Sequence, residues 1–420
     1  MVLMAALVAF AATCCAQEIQ TREKEFYILL LLMTGGILGA FMSIDIFLMY
    51  FLHELALVPT FIMIGVWGRG QDKDFAAYKI TLYLSLGALL TLAGVIMLYL
   101  QFGSFSLLSM MDHGTQFAGT EAGAFSVTEQ NVIFALLMFG LGILVGLWPF
   151  HTWAPMGYSA APTATAMMHA GVIKKFGLFM LIKVALPLLP EGAQTWLPIL
   201  ALLCLGNILY CGLVAMRQKD LNLLIGNSSV AHMGFVFLGI ASVTTVGLTG
   251  AVMVMVAHGL LAGLAFGLSG YLYSQARTLD MDKLQGLLAG MPFWGTLMIM
   301  ALMAGCGLPG FANFAGELTV FFGAWKVYPV ITSIGIWSAL VIGAVYMLRA
   351  IRTLLHGIKG EQTPEVEDLK HWQRLPYALL VAVLLLFGFY PKLITDKIGK
   401  SNATFEQAKK AQASTEEEAE

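Results

Sequence analysis

The sequence predicts an all-α protein that crosses a membrane many times. Of its 420 residues, 59% are hydrophobic and only 11% are charged, whereas a soluble domain carries about 25% charged residues. A transmembrane helix needs about 20 mostly apolar residues, and runs of that length recur along nearly the whole chain. Such runs, separated by short charged connections, are typical of a polytopic membrane protein.

These apolar runs predict about twelve spans. The first run starts without the basic residues that open a signal peptide, so we interpret it as a short span and not as a leader. We place the spans near residues 1–16, 26–44, 46–68, 79–101, 131–150, 162–186, 195–216, 221–241, 246–273, 291–329, 331–354 and 373–394.

Two of the predicted spans contain helix breaks. The run 291–329 is too long for one straight span, and the Gly- and Pro-rich segment 305–310 lies in its middle. The run 131–150 is interrupted near its end by the segment 148–151, which contains Pro149. A break at membrane depth is tolerated only where it borders protein or a hydrated cavity. Breaks of this kind often mark transport sites.

The connections between spans alternate in charge. Those after the first, third, seventh, ninth and eleventh spans contain lysine or arginine, whereas the loop 102–130 and the connection 187–194 contain neither. By the positive-inside rule, the first set is predicted to be cytoplasmic and both chain ends are predicted to lie on the outer side.

Several ionisable residues lie inside the apolar runs. They are Glu54, Lys174, Lys175, His258 and Glu317. A charge at the middle of a membrane helix costs roughly 2.5–3.5 kcal/mol, so such residues normally face a protein interior or a water-filled path. Acids, bases and imidazoles together indicate ion movement. Taken singly, a histidine on an apolar helix is more often a satisfied core residue, and an acid can simply join two helices.

The composition excludes several other functions. The formal net charge is −2, and no basic stripe is present to bind nucleic acid. The five cysteines show no CxxC spacing, and no Gly-rich nucleotide-binding turn follows a strand. We therefore expect no NADH, flavin, iron–sulfur or metal site on this chain.

Several short stretches carry a family resemblance. They are 53–59, which contains Glu54; 148–153, which contains His151; 161–164, which leads to Lys175; 227–234, which contains His232; 257–260, which contains His258; and 307–317, which ends at Glu317. Together, and in this order, they resemble the antiporter-like, proton-translocating subunit M of complex I, NADH:quinone oxidoreductase (chain 4 in mitochondria). The resemblance covers residues 1 to about 395.

The resemblance implies an antiporter-like fold with fourteen spans in the family and two five-helix repeats of inverted topology. The first run here resembles the third family helix, so the first two family helices are expected to be absent. The implied organisation is a truncated first span at 1–25, repeats at 26–188 and 195–354, a cytoplasmic loop and last span at 355–394, and a polar tail at 395–420.

The resemblance also implies the site residues. Glu54 matches the glutamate of the fifth family helix, Lys175 the lysine of the eighth, and Glu317 the acid that ends the path, while His258 and His232 match histidines of the hydrated axis. Weaker candidates are Lys174, His151 and His169. Because successive helical residues are about 100° apart, Lys174 and Lys175 cannot share one face, and one of them is expected to point elsewhere.

Two positions depart from the family pattern. The family has a lysine on its seventh helix that pairs with the fifth-helix glutamate, and here that position is Leu144. A second family lysine, at the start of the tenth helix, is here Asn222. Glu54 therefore lacks its expected cationic partner within this chain.

The implied function is a non-redox membrane subunit of complex I that translocates protons while other subunits transfer electrons from NADH to quinone. Its partners would be neighbouring membrane subunits and the lipid bilayer, in an energy-transducing membrane such as the bacterial inner membrane. Two alternatives stay open: a subunit of a multi-subunit cation/proton antiporter or membrane-bound hydrogenase, and a structural membrane subunit with impaired conduction. Fold alone does not separate them.

Overall fold

A computed structural model describes residues 1–111, 126–360 and 363–398. Within these ranges the chain is almost entirely helical, and backbone pairing outside helices is limited to isolated bridges between Asp45 and Ser106 and between Asp220 and Asp280. The predicted all-α class is confirmed. The centre of the loop 102–130 and most of the tail 395–420 lie outside the described residues.

The main helices are labelled here in chain order. They are α1 (Val2–Cys15), α2 (Glu23–Met42), α3 (Ile46–Trp67), α4 (Lys73–Phe102), α5 (Val127–Val145), α6 (Trp153–Ala160), α7 (163–188), α8 (Pro190–Arg217), α9 (Leu221–Ala241), α10 (Thr245–Ala276), α11 (Pro292–Gly305), α12 (Ala312–Trp325), α13 (Pro329–Leu355) and α14 (His371–Phe389). Short helical turns occur at Ala16–Glu18 and Leu287–Gly290.

The helices agree with the predicted spans. Among the described residues, nine helices are long and apolar enough to cross a membrane. The other predicted spans fall on α1, on α7 and on the α11–α12 pair, which are shorter or interrupted. The predicted connection 187–194 is an exception, because the chain turns at Leu189 and α8 already begins at Pro190. Pro190 suits this position, since the first turn of a helix does not need its missing N–H.

Both predicted breaks are present. Helix α5 ends at Val145 and Gly146 takes φ 92°, and helical structure resumes only at Trp153. Helix α11 ends at Gly305 and α12 begins at Ala312. The second break contains Gly307 at φ 71°, a left-handed conformation that glycine adopts without the penalty of a Cβ atom.

Helices α9 and α10 form the centre of the bundle. In each of them, 94% of the most apolar segment is buried inside the protein, whereas the corresponding share is 28–50% in the other long helices. Helix α10 packs against α9 and α12, and against α1 and α14 on its other sides. Polar residues on α9 and α10 therefore lie far from lipid.

Helix α7 is irregular where it approaches this centre. It contains π-helical turns at His169–Ile173 and Leu181–Ala185, with Lys175–Met180 in regular α-helix between them. A π turn shifts the direction of the side chains that follow it, and such turns are frequent at functional sites. The first π turn comes directly before Lys174 and Lys175, so it sets where these two side chains point.

Candidate functional site

A buried lysine and a buried histidine connect α7 to α10. Lys175 is fully buried, and its Nζ lies 2.9 Å from Nδ1 of His258. The same ammonium donates a hydrogen bond to the carbonyl oxygen of Ala170, in the preceding π turn. The two predicted relay residues, 83 positions apart in the sequence, are therefore in direct contact.

The neighbouring lysine points to another helix. Lys174 is also buried, and its Nζ donates to Oγ of Ser229 on α9 at 2.6 Å and to the Ser229 carbonyl oxygen at 3.3 Å. It lies 5.5 Å from the ring centre of Tyr158. The two lysines diverge as predicted, but both remain inside the protein. The acceptors of both ammoniums are neutral, and buried positive charges without a paired acid are costly.

The polar contacts continue through His232 on α9. The rings of His258 and His232 are 5.4 Å apart between centroids. Nδ1 of His232 lies 2.7 Å from the carbonyl oxygen of Ser228, to which it donates when it carries a proton, because a carbonyl oxygen can only accept. Nε2 lies 3.1 Å from the carbonyl oxygen of Gly305 and 3.5 Å from Oε1 of Glu317.

Glu317 lies on α12, just after the second break, and is 6% exposed. The break directs the end of α11 and the start of α12 toward His232, so that the Gly305 carbonyl and the Glu317 carboxylate meet at one imidazole nitrogen. The predicted residues Lys175, His258, His232 and Glu317 thus form one contiguous row, which we call the central axis.

Two small cavities border the central axis. One, of about 20 Å³, is lined by His232, Glu317 and Tyr346 among others. The second, also about 20 Å³, is lined by Ser228, His232 and His258 among others. A water molecule needs roughly 10–15 Å³ of such space together with polar partners. Each cavity therefore accommodates one water where neighbouring groups of the axis are too far apart for a direct proton transfer.

Glu54 is not part of the central axis. Its side chain is 29% exposed on the surface of the chain, and its Oε1 lies 3.3 Å from Nδ1 of His53. Within this chain Glu54 is therefore less enclosed than the other ionisable residues of the apolar runs. Leu144, at the position of the family lysine, is 2% exposed within the apolar core.

The weaker candidates differ in their surroundings. His151 lies in the first break, 4% exposed, with its ring 5.5 Å from that of Tyr210. His169 lies in the first π turn of α7, and neither of its ring nitrogens has a hydrogen-bond partner in the described part of the chain. Asn222, which replaces the second family lysine, accepts a hydrogen bond from Ser269 at 2.6 Å.

Two polar residues near the predicted site, Tyr346 and His53, were not predicted from the sequence as site residues. The Tyr346 hydroxyl lies 3.1 Å from the Ser228 hydroxyl, which reaches Nδ1 of His232 at 3.4 Å. His53 is 1% exposed and contacts Glu54. Its position directly before Glu54 was visible in the sequence, whereas the contact of Tyr346 depends on tertiary packing.

The residues that the structure describes contain no group of three or more His, Cys, Asp or Glu side chains that could hold a metal ion. All five cysteines are free. The polar chemistry of the core is therefore that of lysine, imidazole, hydroxyl and carboxyl groups.

A helical membrane bundle with two broken helices and ionisable groups in its most buried helices is an antiporter-like membrane protein. The chain belongs to the NADH:quinone oxidoreductase/Mrp antiporter transmembrane family, whose model matches residues 43–343. It is 33% identical to NADH-quinone oxidoreductase subunit M of Rhodobacter capsulatus, over 92% of this chain and 76% of that protein. It is 34% identical to NAD(P)H-quinone oxidoreductase chain 4 1 of Synechococcus elongatus, over 94% of this chain and 74% of that protein.

Solved structures have the same fold. A chain of respiratory complex I from Thermus thermophilus with bound NADH has a TM-score of 0.87 and 28% identity, over 97% of this chain and 83% of that one. A chain of the Mrp complex from Dietzia has a TM-score of 0.81 and 18% identity, over 96% and 83% of the two chains. At that identity the Mrp likeness concerns the fold alone.

Proposed function

We propose that this protein is the proton-translocating subunit M of a bacterial NADH:quinone oxidoreductase. The observation that carries this proposal is the central axis, in which Lys175 on α7 and Glu317 on α12 are linked through His258 and His232 on the two most buried helices. The relatives named as subunit M support the assignment to complex I. In this role the protein packs against neighbouring membrane subunits in the bacterial plasma membrane.

The chemistry proposed for the axis is proton transfer alone. Lys175 donates a proton to Nδ1 of His258, and the other nitrogen of His258 passes a proton toward His232. Water in the cavity beside both rings bridges this step, because direct transfer needs about 2.6–3.2 Å between heavy atoms. His232 then delivers a proton to Glu317. Electron transfer takes place on other subunits, and this chain acts without a redox cofactor of its own.

The arrangement of helices supports the proposed repeats at 26–188 and 195–354. In the first, α3 is capped by Asp45, which forms a bridge with Ser106. In the second, α9 is capped by Asp220, which forms a bridge with Asp280. In each repeat the broken helix is the fourth of the five spans. Because five is an odd number of spans, the second repeat is inverted relative to the first in the membrane.

The family also includes Mrp antiporter subunits, so a cation/proton antiporter is the second candidate. The two candidates predict different partners. We expect affinity purification of this chain to recover hydrophilic NADH:quinone oxidoreductase subunits. Recovery of antiporter subunits in their place would favour the second candidate.

The proton-transfer role is tested by Lys175→Met in the assembled complex. We expect NADH-driven acidification of inverted membrane vesicles to be lost, because Met fills the same space but carries no proton. Lys183→Met is the matched control, since Lys183 lies on the same helix but outside the axis and is exposed. Pumping at the parent level by fully assembled Lys175→Met would contradict the proposal and favour a structural role.

A further inference from the structure

We propose that His53 is the ionisable partner of Glu54 and that His169 connects this pair to the buried lysines. The inference rests on the proposed function. It supplies a proton route in place of the lysine that the family pattern has at position 144. That position is an apolar Leu144 here, yet Glu54 is retained.

The first step is the contact between Glu54 and His53. The carboxylate is at the surface, with 29% of the side chain exposed, whereas the imidazole is 1% exposed. Adjacent residues thus place an acid outside and a base inside, 3.3 Å apart. A proton on the Glu54 carboxyl can move to Nδ1 of His53 over this distance with a small rotation of either group.

The second step is the position of the His53 ring inside the protein. It stacks on Phe176, with ring centroids 4.0 Å apart and an interplanar angle of 14°. Phe176 directly follows Lys175 on α7. The stacking therefore holds the imidazole against the same helix that carries both buried lysines, and α3 also packs against the π turn His169–Ile173.

The third step is His169, in that π turn. Its ring is 1% exposed and is held by the rings of Trp153 and Tyr158, at 5.5 and 5.6 Å. Both ring nitrogens are buried without a hydrogen-bond partner among the described residues. Buried polar atoms are rarely left this way, and each such case requires an explanation. Aromatic packing fixes this ring and leaves both nitrogens free, as a proton-relay group requires.

His169 also has ionisable groups of the proposed route as neighbours. The ionisable groups close enough for their charges to act on it are His53, Lys174 and Lys175. It is therefore near both the Glu54–His53 pair and the two lysines. We place a water between each pair of groups, since a bridging water is nearly as favourable as a direct hydrogen bond. The proton then travels from Glu54 through His53 and His169 to the lysines and into the central axis.

The test uses His53→Gln and His53→Phe in the assembled complex. Gln keeps a hydrogen bond to Glu54 but does not titrate, and Phe keeps the stacking on Phe176. We expect both variants, and His169→Gln, to lower NADH-driven pumping to less than half of the parent rate. If His53 had only a structural role, the His53→Gln variant would pump at the parent rate. Should the Phe variant fail to assemble, the better-tolerated Gln variant still decides the question.

Tyr50→Phe is the matched control, because Tyr50 lies one helical turn before Glu54 on α3 and close enough to it for their charges to interact. An equal loss in Tyr50→Phe would mean that the effect is not specific to the imidazole, and would contradict the proposal. Lys175→Met, measured in parallel, separates the two levels of inference. Lost pumping in Lys175→Met with parent-level pumping in His53→Gln would overturn only the His53 route, whereas parent-level pumping in both would overturn the proposed function as well.

Discussion

The two proposed repeats have the same order of helices but differ in how deeply they bury their acids. In the first, 44% of the most apolar segment of α3 and 39% of that of α4 are buried, whereas in the second the share is 94% for both α9 and α10. Glu54 in the first repeat is partly exposed, and Glu317 in the second is 6% exposed. The same order of elements thus places the most buried helices of the bundle in the second repeat.

The difference has a packing cause. Helices α1 and α14, which belong to neither repeat, pack on α10, and α7 brings its lysines to α9 and α10. Among the described residues, the helices around Glu54 leave 29% of its side chain exposed. Its environment therefore depends on what packs against α3 in the complex, whereas the environment of Glu317 is determined within the chain.

The largest expected effect comes from neutralising the sealed acid. We expect Glu317→Gln to lower vesicle acidification by about tenfold or more, because loss of a positioned proton-transfer group typically costs roughly 10²–10⁴-fold. Glu54→Gln should lower it less, since water or a group of a neighbouring subunit can reach an exposed site. Both variants are compared with the parent by their rates of proton pumping at equal rates of NADH oxidation.

Thr319→Val is the control for Glu317→Gln, because Thr319 lies on the same helix and its hydroxyl donates to the backbone carbonyl of Ala315 on that helix. If Glu54→Gln were the more damaging variant, the contrast between the two halves would not describe the working complex.

Much of this contrast between the repeats could not be predicted from the sequence, for a physical reason. In a membrane bundle, helix surfaces that face lipid are as apolar as those that face protein, so hydropathy located the spans but not the centre. Glu54 and Glu317 both lie in apolar runs, and tertiary packing gives them different exposures. The breaks were predictable because Gly and Pro act locally, and so was the divergence of Lys174 and Lys175.

The direction that each lysine takes was not predictable. It depends on the π turn His169–Ile173, which adds a residue to one helical turn and has no clear local signal in the sequence. The aromatic contacts around His53 and His169 likewise join residues far apart in the chain. Pairings of this kind follow from the assembled bundle and not from local pattern.

An intermediate effect is expected at the second break. Gly307 has φ 71°, and a Cβ atom added there would lie 3.0 Å from Oε2 of Glu317. In Gly307→Ala we expect a partial loss of pumping, because the left-handed conformation costs a non-glycine residue about 1–2 kcal/mol and the carboxylate must shift.

The matched variant in the first repeat is Gly35→Ala on α2, where no neighbouring group of the described residues lies within 4 Å of the added Cβ. Alanine favours helix over glycine by about 0.8–1.0 kcal/mol, so this variant should assemble and pump like the parent. Full pumping by Gly307→Ala would mean that the position of the Glu317 carboxylate is not critical.

The smallest effect is expected at the caps that begin α3 and α9. Asp45 accepts a hydrogen bond from the Leu48 N–H at 2.7 Å, and Asp220 accepts one from the Leu223 N–H at 2.9 Å. Loss of such a cap costs about 1 kcal/mol. Asp220→Ala should accelerate heat inactivation of the purified complex more than Asp45→Ala, because the Asp45 cap is exposed and water can replace it.

The charge of Asp220 adds a pH dependence to this comparison. Burial raises the pKa of the Asp220 carboxyl. For an acid, a folded-state pKa above the unfolded one means that ionisation disfavours the folded state above that pKa, and that this penalty disappears as the pH falls through it. Asp220→Asn keeps the capping oxygen and removes the penalty, so it should match or exceed the parent in heat stability at neutral pH and lose that advantage in acid. If Asn were as harmful as Ala, the ionised carboxylate itself, and not its hydrogen bond to Leu223, would hold the start of α9.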